Sequence, residues 1–135
     1  MSKKKGLNKT LPPNASKGQK KLAEILEQLF CRNGVDFTLT YEQPLSELAD
    51  PDVIEEYSVN GMSVDFYIKE LKLAVEYQGI QHYQEDGSSF YSGQMERDVR
   101  KKYFLQDVGI RLIEIPYDIG LNFLEADFLQ KLEAE

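Results

Sequence analysis

The sequence predicts an α/β fold, a mixed β-sheet flanked by helices, in the order α-β-β-β-α-β-α. Apolar residues recur at helical spacing in three stretches and follow strand patterns in four others. Strands interleaved with helices on one small core point to an α/β sandwich. The 135 residues suffice for one such core. Residues 1–15 read as a disordered basic arm and 16–135 as a single domain.

Ser16 is a helix N-cap, and Gln19 stands three residues later, the spacing of a capping box. Leu22, Ile25, Leu26, Leu29 and Phe30 then share one helical face. Asn33-Gly34 ends that helix. Val35, Phe37, Leu39 and Tyr41 alternate with polar residues, a half-buried strand that Pro44 stops. Residues 45–57 are acidic and broken by Pro51, and read as a loop with a short helical turn. Met62, Val64, Phe66 and Ile68 alternate with Ser63, Asp65 and Tyr67. Leu71, Leu73, Ala74 and Val75 follow a short turn, so the two runs form a β-hairpin. Residues 78–91 read as a polar and aromatic loop. Residues 92–108 read as a helix with Met95, Val99 and Tyr103 on its apolar side and Gly109 closing it. Residues 110–115 form a buried strand stopped by Pro116. Leu121, Leu124, Phe128 and Leu132 mark a last helix.

Charge is unevenly spread. The net charge is −7, yet residues 1–21 hold seven lysines and no acid, leaving −14 on the rest. The arm suits phosphate neutralisation, and equally a solvated tail. No apolar run reaches the ~20 residues that span a bilayer, and the lysine-rich start does not resemble a secretory signal. The single cysteine, Cys31, excludes an internal disulfide and any multi-cysteine zinc site, and fits a reducing compartment.

The chemistry concentrates around one hairpin. Asp65 alternates with Val64 and Phe66, so it points away from them. Glu76 lies on the next strand. An even turn puts both carboxylates on one face: two residues place them diagonally, four place them opposite each other. An odd turn separates them. Two facing carboxylates suit Mg²⁺ or Mn²⁺, and also fit exposed acids on the polar face of a sheet. His82, the only histidine, follows in Gln78-Gly79-Ile80-Gln81-His82-Tyr83 and can give or take a proton near neutrality. Asp98 lies in Glu96-Arg97-Asp98-Val99-Arg100-Lys101-Lys102, off the expected apolar stripe, with Lys101 and Lys102 one turn on. That run also fits a solvated, salt-bridged helix face.

Four pieces in order resemble a known group. They are Val64-Asp65-Phe66-Tyr67-Ile68, Leu73-Ala74-Val75-Glu76-Tyr77-Gln78-Gly79-Ile80-Gln81-His82-Tyr83, Arg97-Asp98-Val99-Arg100-Lys101-Lys102, and Gly109-Ile110-Arg111-Leu112-Ile113-Glu114-Ile115-Pro116-Tyr117. Together they resemble the very-short-patch-repair-like endonucleases of the PD-(D/E)XK, or restriction-endonuclease-like, superfamily. The similar branch is the phage and bacterial one with a Glu-Asp-His-Asp constellation, which includes homing endonucleases. The resemblance spans residues 16–117. It implies a sheet flanked by helices, hydrolysis of DNA phosphodiesters, and Mg²⁺ (or Mn²⁺) as cofactor. By it, Asp65 and Glu76 bind the metal, and His82 and Asp98 complete the catalytic set. Two positions depart from the pattern. Gln19, in Ser16-Lys17-Gly18-Gln19, stands where such proteins carry glutamate, and Gln78 stands where the superfamily carries lysine.

The expectation is therefore a metal-dependent DNA endonuclease of homing or mismatch-nicking type. Asp65, Glu76, His82 and Asp98 are its reacting groups, and Gln19 and Gln78 position water. Lys17, Lys20, Lys101 and Lys102 contact phosphate. DNA is the partner, with a homodimer or a larger recombination or repair assembly around it, in the cytoplasm of a bacterial cell or phage-infected host. Three alternatives remain open. The chain could be a catalytically impaired nuclease fold that binds DNA or a protein, or a transposase-subunit or junction-resolving nuclease. It could also be an acidic interaction protein with no nucleic-acid role.

Overall fold

Ser16 caps the first helix as its spacing predicts. The computed structural model describes residue 11 and residues 14–32, 34–77 and 89–134. In it the Ser16 hydroxyl accepts the Gln19 N–H at 3.2 Å, and the Gln19 side chain accepts the Ser16 N–H at 3.1 Å. Helix α1 (Lys17–Phe30) then buries Leu22, Ile25, Leu26 and Phe30.

The strands are β1 (Leu39–Pro44), β2 (Ser63–Ile68), β3 (Leu73–Tyr77) and β4 (Arg111–Ile115), in the spatial order β1-β2-β3-β4. The first three pair antiparallel, and β4 joins β3 in parallel. A parallel neighbour needs a long crossover, and helix α3 (Ser89–Asp107) lies within it. Helix α2 (Pro51–Tyr57) precedes β2, and helix α4 (Leu124–Glu133) ends the fold. Both faces of the sheet are covered. Phe66, Ile68, Leu73, Val75, Ile113 and Ile115 pack with α1 and α4. Tyr67 and Ala74 pack on the other side with Ile54 of α2 and Phe104 and Leu105 of α3. The mixed α/β sandwich is thus observed.

Three local expectations need correction. The order gains a helix, because residues 51–57 form a full α2 rather than a turn. Pro51 sits in its first turn, where a missing N–H costs nothing, and Ile54 is buried. Strand β1 begins at Leu39, not Val35. The Phe37 N–H is spent on the Phe30 carbonyl at 2.8 Å, closing the end of α1 rather than pairing with β2. The apolar row of α3 faces solvent: Met95, Val99 and Tyr103 are 53, 50 and 60 % exposed. Phe104 and Leu105 set the inward face, and positions 98 and 101 share it at helical spacing.

Gly18 lets α1 approach the sheet. A Cβ there would overlap the ring of Tyr77, whose hydroxyl donates to the Tyr117 carbonyl at 3.2 Å. We predict that Gly18→Ala destabilises the fold by about 1–3 kcal/mol in urea unfolding. In a Tyr77→Ala background the same change becomes neutral or stabilising, since alanine is the better helix former. An equal loss in both backgrounds would place the strain elsewhere.

Candidate active site between β2, β3 and α3

The β2–β3 hairpin decides where the carboxylates go. Ile68 pairs with Leu73, so residues 69–72 form a four-residue turn. Lys69–Leu71 make one 3₁₀ turn, and Lys72 adopts a left-handed backbone with φ 51°. The register runs Ile68↔Leu73, Tyr67↔Ala74, Phe66↔Val75. One further step sets Asp65 opposite Glu76, on the face that carries Tyr67 and Ala74. This is the four-residue case among the turns weighed from the sequence. An Asp65 carboxylate oxygen accepts the Tyr77 N–H at 2.9 Å, which fixes its orientation.

Helix α3 covers this pair with a polar patch. The Lys101 ammonium lies 2.7 Å from a Glu76 carboxylate oxygen, and their side chains are only 14 and 16 % exposed. Asp98 precedes Lys101 by three residues and is half-buried. One strand over, Glu114 is in register with Glu76 and pairs with Lys102 at 3.4 Å. Two lysine–glutamate contacts therefore tie α3 to neighbouring strands.

Burial pushes Glu76 from its ordinary 4.5 to about 7. Lys101 pulls it back, and the negative charges of Asp65 and Asp98 push it further up. Burial outweighs the ion pair, as expected where desolvation is large. Among the described residues, Lys101 is the cation in contact with Glu76, and Asp65 and Asp98 add negative charge nearby.

The structure brings Asp65 and Asp98 within electrostatic reach of Glu76 and adds Lys101 as the counter-ion of Glu76. It places the other expected residues differently. The Gln19 carbonyl oxygen is occupied by the capping box. Lys17 and Lys20 are exposed on the first turns of α1. Lys102 is exposed and paired with Glu114. Gln78 and His82 lie outside the described residues. Sequence reasoning missed the inward turn of Lys101 and the place of Glu114. The signal for Glu114 was present, a single acid alternating within Leu112-Ile113-Glu114-Ile115. Among the described residues, no group of three His, Cys, Asp or Glu side chains is placed to enclose a metal ion. No helix among them is long and apolar enough to cross a membrane.

Fold and site define a mixed α/β sandwich with paired carboxylates held under a crossover helix. Over 114 residues the chain is 32 % identical to the protein named "Uncharacterized protein 094L" of frog virus 3 (isolate Goorha), covering 79 % of this chain and 72 % of that protein. The chain belongs to the family of that frog virus 3 protein. It is also 32 % identical over 82 residues to "Uncharacterized protein 307L" of invertebrate iridescent virus 6, covering 53 % of this chain and 42 % of that protein. No family model and no solved structure matches the chain.

The raised Glu76 gives a pH signature. Its folded pKa lies above its unfolded one, so the ionised carboxylate opposes folding. Stability should fall as pH rises from about 4.5 to about 7, and level off above that. Glu76→Gln should remove this slope, worth up to ~3 kcal/mol. Urea unfolding of both proteins from pH 5 to 8 reads the difference. Parallel profiles for the two would mean that Glu76 titrates normally.

Proposed function

We propose that the chain is a metal-dependent DNA endonuclease, a phosphodiester hydrolase, with its site on Asp65 and Glu76. The observation that carries this reading is the four-residue hairpin turn, whose register, continued one step past Phe66↔Val75, brings Asp65 opposite Glu76. The resemblance of residues 64–117 to very-short-patch-repair-like nucleases supports it. The donor set also suits the cation. Mg²⁺ keeps much of its water and needs only one or two protein carboxylates beside substrate phosphate. Burial keeps Glu76 near 7, with Asp65 and Asp98 adding to the rise, and a bound cation would favour its ionised form.

Asp65 and Glu76 would hold Mg²⁺ or Mn²⁺. When bound, the ion supplies Lewis-acid stabilisation of a phosphoryl oxygen and an acidified water. The protein's own groups do the rest. The Tyr77 N–H keeps Asp65 aimed across the hairpin. His82 takes the proton of the attacking water or gives one to the leaving oxygen, and Asp98 fixes its tautomer. Gln78 positions water, and Gln19 contributes through its amide nitrogen, since its oxygen serves the cap. Lys17, Lys20 and Lys102, all exposed, meet phosphates along the duplex. The enzyme acts in the virus-infected cell, as a homodimer or within a larger assembly on DNA.

A second reading is a nuclease fold that binds DNA or a protein without cutting. Lys101 favours it, because its contact with Glu76 partly balances the acids without any added ion. Supercoiled plasmid incubated with Mg²⁺ or Mn²⁺ separates the two. The wild type should nick it, and Asp65→Asn should lower the rate at least about a hundredfold, a typical scale for a lost electrostatic contact in a reacting site. An uncut plasmid, or equal cutting by Asp65→Asn, would falsify the endonuclease reading.

A further inference from the structure

The sequence places Lys101 on a helix surface beside other charges, where it would meet solvent or DNA. The structure turns it inward. Its ammonium contacts Glu76 at 2.7 Å and only 14 % of the side chain is exposed. Lys102, the next residue, is 54 % exposed. A lysine stem is long and flexible and its charge is strongly hydrated, so burial needs a compensating partner. The acid cluster supplies one. One step beyond the Phe66↔Val75 pair, the hairpin register brings Asp65 opposite Glu76, and Asp65 and Asp98 both lie within electrostatic reach of Glu76. Among the described residues, Lys101 brings a positive charge to Glu76 from the covering helix, on a long side chain with several rotatable bonds.

We propose that the Lys101 ammonium is a built-in counter-ion of Glu76 that keeps its place beside the hairpin until a divalent cation binds Asp65 and Glu76, and that it is then displaced outward toward the phosphate backbone. This rests on the endonuclease reading and adds how its site is regulated. The ammonium and the cation compete for the same carboxylate oxygen of Glu76. The acids need not separate between the two states, because one positive group replaces another. The freed lysine then joins Lys102 on the side of α3 that a polyanion approaches, so cation entry and DNA binding favour each other.

The test uses the full chain and Mn²⁺. Lysine amines are acetylated with and without Mn²⁺, and labelling at each position is read by mass spectrometry. Lys101 should label slowly without the ion and about tenfold faster with it, a modest change for a group moving from burial to solvent. Lys102 should be unaffected, and Asp65→Asn should abolish the increase. By calorimetry, Lys101→Met should bind Mn²⁺ at least about tenfold more tightly than wild type, a low bound for removing a charge at contact distance where the effective dielectric is about 20. Lys101→Arg, which keeps the charge, should stay near wild type. Mn²⁺ binding without faster Lys101 labelling, or with equal affinity in Lys101→Met, overturns the counter-ion role and leaves the metal site standing. No Mn²⁺ binding in wild type or in Lys101→Met removes both. If Lys101→Met fails to fold, labelling of the wild type decides alone.

Discussion

The four-residue turn at 69–72 fixes the relation on which everything else depends. Side chains alternate across a sheet with period two, so the parity of this turn decides whether Asp65 and Glu76 share a face. One residue more or less would send them to opposite layers of the sandwich. The turn requires a left-handed backbone at Lys72, which costs a non-glycine residue on the order of 1 kcal/mol. Neighbouring bonds offset that cost. The Glu70 carboxylate accepts both the Thr38 N–H at 2.7 Å and its hydroxyl at 2.8 Å. The Lys69 N–H reaches the Thr38 carbonyl, and the Lys72 carbonyl accepts the Arg111 N–H. One turn is therefore tied to the approach to β1 on one side and to β4 on the other, which leaves no freedom for a slipped register.

Helix α3 explains why the acids end up half-buried rather than exposed. Its anchors are Phe104 and Leu105, both buried. Positions 101 and 98 lie about one and two turns toward the N-terminus on the same face, so the helix lays Lys101 and Asp98 over the acid pair. Burying charges in this way is a poor route to stability. Desolvation of a buried ion pair can exceed its attraction, and an apolar substitute often does as well or better. The same helix leaves Met95, Val99 and Tyr103 in solvent, where they contribute little to the core. An arrangement that turns polar residues in and apolar ones out is the kind of local conflict that marks a functional site.

That conflict also explains what could be read in advance. The α1 cap, the hairpin, the Gly109 stop and the two-layer architecture follow local rules of pattern and turn chemistry, and each was legible. The pairing of Asp65 with Glu76 was legible up to the turn length, which alternation alone does not supply. The face of α3 was not. Met95, Val99 and Tyr103 form a regular apolar row, and only the tertiary anchoring of Phe104 and Leu105 turns that row outward. Helix α2 was obscured because its seven residues, three of them acidic, lack a full apolar stripe. Glu114 was obscured because β4 reads as continuously buried, although Glu114 faces the same layer as Glu76.

Gly18 and Tyr77 connect the first helix to this centre. The N-terminal turn of α1 lies against the Tyr77 ring because residue 18 has no Cβ. The backbone N–H of that same tyrosine holds Asp65. The turn of α1 that carries Gln19 thus bears on the site through packing, with the Gln19 oxygen kept in the cap. A neutral residue there has an electrostatic consequence. Asp65 and Asp98 already act on Glu76 beside Lys101, and burial already holds Glu76 near 7. A fourth carboxylate at position 19 would add negative charge to a domain whose residues beyond 21 carry −14. On the proposed endonuclease reading that body would have to admit a polyanion, and each acid removed from the approach would lower the repulsion between the two.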